Sequence, residues 1–94
     1  MDVTKQFEWD DAKNVTNICK HGIDFVDAIE VFEHPMLILR DDREYYDEER
    51  WTGIGLMQMH TIVVVYVEKH NNIIRLISAR KATRREIKHY EETI

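Results

Sequence analysis

An α+β fold follows from three features of this 94-residue sequence. Two stretches near the N-terminus carry helical apolar spacing, four short β-type runs follow the single proline, and a capping signature opens a last helix. The expected architecture is two N-terminal helices, an antiparallel four-stranded meander sheet and a C-terminal helix, all in one domain spanning residues 1–94.

Phe7-Glu8-Trp9 reads as a short strand. Asp10 is a good N-cap for a helix that presents Ala12, Val15, Ile18 and Cys19 on one face, and Gly22 stops it. Asp24 caps a second helix, with Ile23 placed to staple onto Ala28. Its stripe is Phe25, Ala28, Ile29 and Phe32, and Pro35 prevents continuation. The β-type runs are residues 36–39, 51–56, 61–67 and 73–78, with His70-Asn71-Asn72 as hairpin chemistry before the last. Thr83-Arg84-Arg85-Glu86 has the spacing of a capping box. The helix it opens should turn Ile87, Tyr90 and Ile94 to the core.

The hydrophobic fraction of 44% suffices for a small core, and the charged fraction of 33% covers its surface. The longest apolar run, residues 62–67, is strand-length and far short of a membrane span, and no signal-peptide pattern opens the chain. With one cysteine, Cys19, no internal disulfide forms, which fits the cytoplasm.

The net charge of −5 is unevenly spread. Residues 41–50 hold six carboxylates (Asp41, Asp42, Glu44, Asp47, Glu48, Glu49), and residues 75–88 hold six cations (Arg75, Arg80, Lys81, Arg84, Arg85, Lys88). Two faces with different partners would produce this, and so would pairing of the two segments across the fold. The densest stretch, Arg80-Lys81-Ala82-Thr83-Arg84-Arg85, must repel itself unless an anion lies against it. A phosphodiester backbone is the simplest such anion.

Lys20-His21-Gly22 has two readings: a C-cap whose cations offset the helix dipole, or a site with a proton-transfer group and a phosphate contact. Glu48-Glu49-Arg50-Trp51 is either a solvated strand entry or a general base beside a cation. The histidines show no metal-ligand spacing, and Gly53-Ile54-Gly55 lacks the third glycine of a phosphate loop. No metal or other cofactor is expected. Trp9, Trp51, Tyr45, Tyr46 and Tyr66 are candidates for base stacking, with core packing the simpler role for most.

Taken in order, several segments resemble the BrnT family of bacterial type II toxins. They are Phe7-Glu8-Trp9-Asp10 with Lys13 and Asn17; Lys20-His21-Gly22-Ile23; Phe25, Ala28 and Val31-Phe32; Glu48 with Arg50-Trp51 and Ile54-Gly55; and residues 77–86 with Tyr90. The resemblance extends from about Phe7 to Glu91. It implies a RelE-like fold, metal-independent endoribonuclease activity, and a cognate antitoxin with a ribbon-helix-helix DNA-binding domain. The pair would form a heterotetramer that reaches operator DNA through the antitoxin. The sequence departs from the family's Tyr-Gly-Glu-x-Arg-Trp at Asp47, where glycine is usual. Aspartate adopts a positive φ at some cost, and it adds a carboxylate beside the site.

Cleavage by attack of the RNA 2′-hydroxyl needs a base, a leaving-group acid and cations around the phosphorane. Arg50 and Arg80 are expected to stabilise the transition state. Glu48 or His21 is the base, and the other, or Lys20, protonates the leaving 5′-oxygen. Lys81, Arg84 and Arg85 hold flanking phosphates. The alternatives are a nucleic-acid-binding module without catalysis, a module that docks an acidic partner, and a degenerate toxin.

Overall fold

In the computed structural model, residues 5–43 and 48–94 are described. The order of elements is β1 (Gln6–Glu8), α1 (Asp11–His21), α2 (Phe25–Ala28), a 3₁₀ segment (Ile29–Glu33), β2 (Leu37–Arg40), β3 (Trp51–Met57), β4 (His60–Lys69), a 3₁₀ turn (His70–Asn72), β5 (Ile73–Lys81) and α3 (Arg84–Thr93). The α+β class stands, but the sheet is five-stranded and mixed, in the order β1-β5-β4-β3-β2. The expected antiparallel meander is β2 to β5. The fifth strand is β1, which adds in parallel to β5 through Gln6↔Ile73, Phe7↔Ile74 and Glu8↔Arg75. Three residues are too short to announce a partner so distant in sequence.

Each helix begins where its cap predicts. Asp10 accepts hydrogen bonds from the N–H groups of Ala12 (2.8 Å) and Lys13 (3.1 Å), and Gly22 closes α1 at φ 71°. Thr83 and Glu86 form the full capping box of α3. The second helix tightens from α into 3₁₀ geometry before Pro35.

The face of α1 that meets the sheet is not the apolar one. Val15 is 61% exposed, and Ile18 and Cys19 also face solvent. The buried residue is Asn17, whose Nδ2 donates to the carbonyls of Ile23 and Ala79 (both 2.9 Å). Its Oδ1 accepts from the Ala79 N–H (3.1 Å). β1 pairs with β5 only as far as Arg75, so the Asn17 amide serves the Ala79 backbone as a neighbouring strand would. One turn earlier, Asn14 accepts from the Phe25 N–H (2.9 Å) and donates to Asp24 (3.0 Å), fixing the α1–α2 corner. Hydrogen bonds have replaced the apolar stripe.

The main core lies between these helical segments and one face of the sheet. Phe25, Ala28, Val31, Ile62, Val64, Tyr66, Leu76 and Ala79 pack there. Phe7, Phe32 and Tyr66 pack in series, tilted and then edge-on, with ring centroids 5.1 Å apart at each step. A Cβ on Gly55 would come within 3.1 Å of Met36 and 3.2 Å of Val31, so its absence lets this layer close on β3. On the other face α3 covers one end only, with Tyr90 against Ile54 and Val63. Ile94, expected in the core, is half exposed.

Two backbone irregularities set directions. The β3–β4 connection places Gln58 (φ 49°) and Met59 (φ 67°) at positive φ, the signature of a type I′ turn. In β5, Val65↔Ser78 is followed by Tyr66↔Leu76, which leaves Ile77 as an extra residue, a β-bulge.

Candidate active site

Before the bulge, Arg75 lies opposite Val67; after it, Ser78 and Arg80 lie opposite Val65 and Val63. Side chains alternate along a strand, so Val63, Val65 and Val67 share one face. The bulge therefore brings Arg75, Ser78 and Arg80 to that same face, the one α3 leaves half open. Beyond Tyr90 this face forms a hollow of about 230 Å³. Leu39, Thr52, Val65 and Ser78 line its floor, and Arg40, Arg43, Arg80, Asp41, Asp42 and Glu86 its walls.

Arg80 is held by three hydrogen bonds. Its Nη1 and Nη2 donate to Glu86 Oε1 and Oε2 at 2.8 Å each, and Nη1 also donates to the Lys81 carbonyl (3.3 Å). The Arg80 hydrogen bond is the main reason the Glu86 carboxyl is pushed down to about 2; partial burial works against it, and the Thr83 N–H assists. The same hydrogen bond raises Arg80, while burial and the neighbouring Arg43 charge act the other way. Asp41 is buried and bound by Arg43 through Nε (2.8 Å) and Nη2 (2.9 Å). Arg40 pairs with Asp42 (3.2 Å) and Glu49 (3.5 Å). Arg43 with Asp41 and Arg80 with Glu86 pair inside their own segments, while Arg40 joins the acidic segment from just outside it.

A second hollow of about 320 Å³ lies between α1 and β5. Lys13, Thr16, Lys20 and His21 line it with Ile77 and Ser78. Lys20 and His21 thus fulfil the C-cap reading and also face a cavity. Ser78 lines both hollows, so the Lys13–Lys20–His21 hollow beside α1 adjoins the hollow at Arg80, where three arginines face three carboxylates.

Glu48 lies elsewhere. It lines a third hollow, of about 640 Å³, with Glu49, Trp51, Val67, Glu68, Lys69 and His70, and none of these residues lines the other two. Arg50 is half-buried just ahead of β3, and strand alternation back from Thr52 sets it on the half-open face. Its carbonyl accepts from the Asp41 N–H (2.9 Å). Lys81 ends β5 opposite Ile62, on the other face from Arg80. Arg84 and Arg85 are exposed in the first turn of α3. The basic run is thus divided among two sheet faces and a helix start.

Sequence reasoning missed Lys13, Arg40, Arg43, Ser78 and Glu86 as site residues. Lys13 is seven positions before Lys20 and so on the same side of the helix, a signal that was present. Arg40 and Arg43 were hidden beside the acidic segment. Glu86 enters the sequence reading through its capping box and the 77–86 segment, neither of which ties it to Arg80. Among the stacking candidates, Tyr66 is a core residue whose hydroxyl is pushed up to about 12, chiefly by burial. Trp9 and Trp51 pack against the same core, while Tyr45, Tyr46 and Asp47 lie outside the described residues. Among those described, no three His, Cys, Asp or Glu side chains converge for a metal, and no helix is long and apolar enough to cross a membrane.

Comparison with curated protein sequences finds no match. The crystal structure of the Brucella abortus ribonuclease toxin, BrnT, is similar with a TM-score of 0.69 and 29% identity, covering 86% of this chain and 100% of that one. Residues 9–86 match the family described as ribonuclease toxin, BrnT, of type II toxin-antitoxin system. That span includes both hollows that Ser78 lines, and the chain belongs to the BrnT ribonuclease toxin family.

Proposed function

We propose that this one-domain chain is a cytoplasmic endoribonuclease that cleaves RNA without a metal, by attack of the 2′-hydroxyl on the adjacent phosphorus. The observation that supports this reading is the surface joining Lys20 and His21 to Arg80 across Ser78. An RNA backbone laid across β5 there meets cations on both sides of one phosphate. The nucleophile belongs to the substrate, so the protein supplies proton transfer and charge. Arg80 and Arg50 stabilise the phosphorane. His21 is the base in this reading and Lys20 the leaving-group acid, since both share a hollow edge with the Arg80 site. Glu48, in a separate hollow, is the alternative base. Lys81, Arg84 and Arg85 hold phosphates beyond the scissile one.

Membership of a type II toxin family implies a cognate antitoxin. We assign it a ribbon-helix-helix DNA-binding domain, so that a heterotetramer contacts operator DNA through the antitoxin.

The test incubates end-labelled RNA in EDTA with the purified chain and with Arg80→Ala. Fragments ending in 2′,3′-cyclic phosphate, reduced about 10²–10³-fold by the substitution, support the reading. Intact RNA with the parent chain overturns it in favour of a binding or partner-docking module. Undiminished cleavage by Arg80→Ala removes Arg80 from the mechanism.

A further inference from the structure

The Arg80 guanidinium is held on the half-open face by a two-point fork, and the group that holds it belongs to a different element. Glu86 is the third residue of α3 and closes its capping box. Its Oε1 accepts from both the Thr83 N–H (2.8 Å) and Arg80 Nη1 (2.8 Å), and its Oε2 accepts from Arg80 Nη2 (2.8 Å). Thr83 Oγ1 in turn accepts from the Glu86 N–H (3.2 Å). The carboxylate is therefore fixed at its backbone and at one oxygen before it meets the arginine. A paired fork of this kind leaves the guanidinium one orientation, where a single contact would leave a swivel. The Lys81 carbonyl takes a further Nη1 proton (3.3 Å). Nε–H and the second Nη2 proton carry no hydrogen bond among the described residues, and they are the donors left for a substrate.

We propose that Glu86 is a positioning residue, which is braced at one carboxylate oxygen by the Thr83 N–H and aims Arg80 into the hollow floored by Ser78. The inference rests on the nuclease reading above and adds to it the residue that sets the geometry of the transition-state cation. Glu86 opposes substrate binding electrostatically, since it brings a negative charge to a phosphate site. Its benefit is therefore expected in turnover and its cost in affinity.

The experiment compares the parent chain with Glu86→Gln and Thr83→Ala. Glutamine keeps an amide oxygen for the Thr83 N–H but loses the charged fork. Thr83→Ala removes the hydroxyl cap and leaves the carboxylate in place. Two quantities are read: kcat and KM on a short RNA, and the Arg80 side-chain Nη signals by NMR, which stay separate while rotation about Cζ–Nε is hindered. Glu86→Gln should merge those signals and lower kcat about 10–100-fold, with KM unchanged or smaller. Thr83→Ala should lower thermal stability, keep the signals separate and leave kcat within about twofold. Equal kcat for Glu86→Gln and the parent overturns the inference while the nuclease reading stands. So does an equal loss of kcat in both variants, which marks a structural role. A parent chain that cleaves no RNA overturns the nuclease reading and the catalytic inference with it. The NMR signals then still decide whether Glu86 holds Arg80.

Discussion

The two faces of the sheet are built on opposite terms. On one, α1, α2 and the 3₁₀ segment close over a dry layer running from Phe25 and Val31 to Tyr66 and Ala79. On the other, α3 seals one end with Tyr90, and the floor beyond it, Leu39, Thr52, Val65 and Ser78, is ringed by charge. The same strands serve both, with every second residue given to each. The larger buried cluster lies on the closed face, and Arg80 with its charged neighbours lies on the half-open one. A substitution should therefore separate folding from RNA handling according to the face it occupies.

Phe25→Ala, on the closed face, should produce the largest effect, a loss of about 3–5 kcal/mol in chemical denaturation. Asn17→Ala should follow with about 2–4 kcal/mol. It removes three buried hydrogen bonds, each worth about 0.5–1.5 kcal/mol net. Ser78→Glu puts a carboxylate where the two hollows meet. It should weaken RNA binding about tenfold in a titration while the unfolding midpoint stays nearly fixed. A parallel loss of stability there would erase the distinction between the faces. Met59→Gly should raise stability by about 1 kcal/mol, because methionine at φ 67° is strained and glycine is not.

The acid limb of the stability curve probes the boundary between the faces. Glu86 is held near 2 in the folded chain against an ordinary 4.5. Its contribution is complete above about 4.5 and lost as pH falls through about 2. Thermal melts of Glu86→Gln across that window should show a shallower fall than the parent.

How much of this was legible depends on the range of the interaction responsible. The caps at Asp10, Asp24 and Thr83 with Glu86, the stop at Pro35 and the Asn71-Asn72 turn are local, and each stands where sequence chemistry puts it. The Gln58-Met59 turn carries none of the residues that favour positive φ, so only the strands on either side reveal it. The parallel pairing of β1 with β5 joins residues more than sixty positions apart. The α1 face was misread because Asn14 and Asn17 dock it through hydrogen bonds, which leave no hydrophobic period. The same limits apply to the site. Lys20, His21 and Arg80 were visible as charged residues beside caps and strand ends, and their approach to one surface through Ser78 was not. The bulge at Ile77 decides which of Arg80 and Lys81 shares a face with Arg75, and strict alternation along β5 selects the wrong one. Glu48 has the right chemistry for a base and sits in another hollow.

The Asn17 amide has one more consequence, for self-association. An unpaired strand edge recruits strands from other molecules and seeds fibrils when it is long and flat. The outer strands here, β1 and β2, are three and four residues long, and β2 ends in Arg40. The longer exposed flank is β5 beyond Arg75, and there the backbone of Ala79 is already occupied in both directions. An incoming strand would have to evict a buried side chain before it could register. Loss of Asn17 would thus expose a template as well as loosen a fold, and Asn17→Ala should aggregate faster than its lost stability alone accounts for.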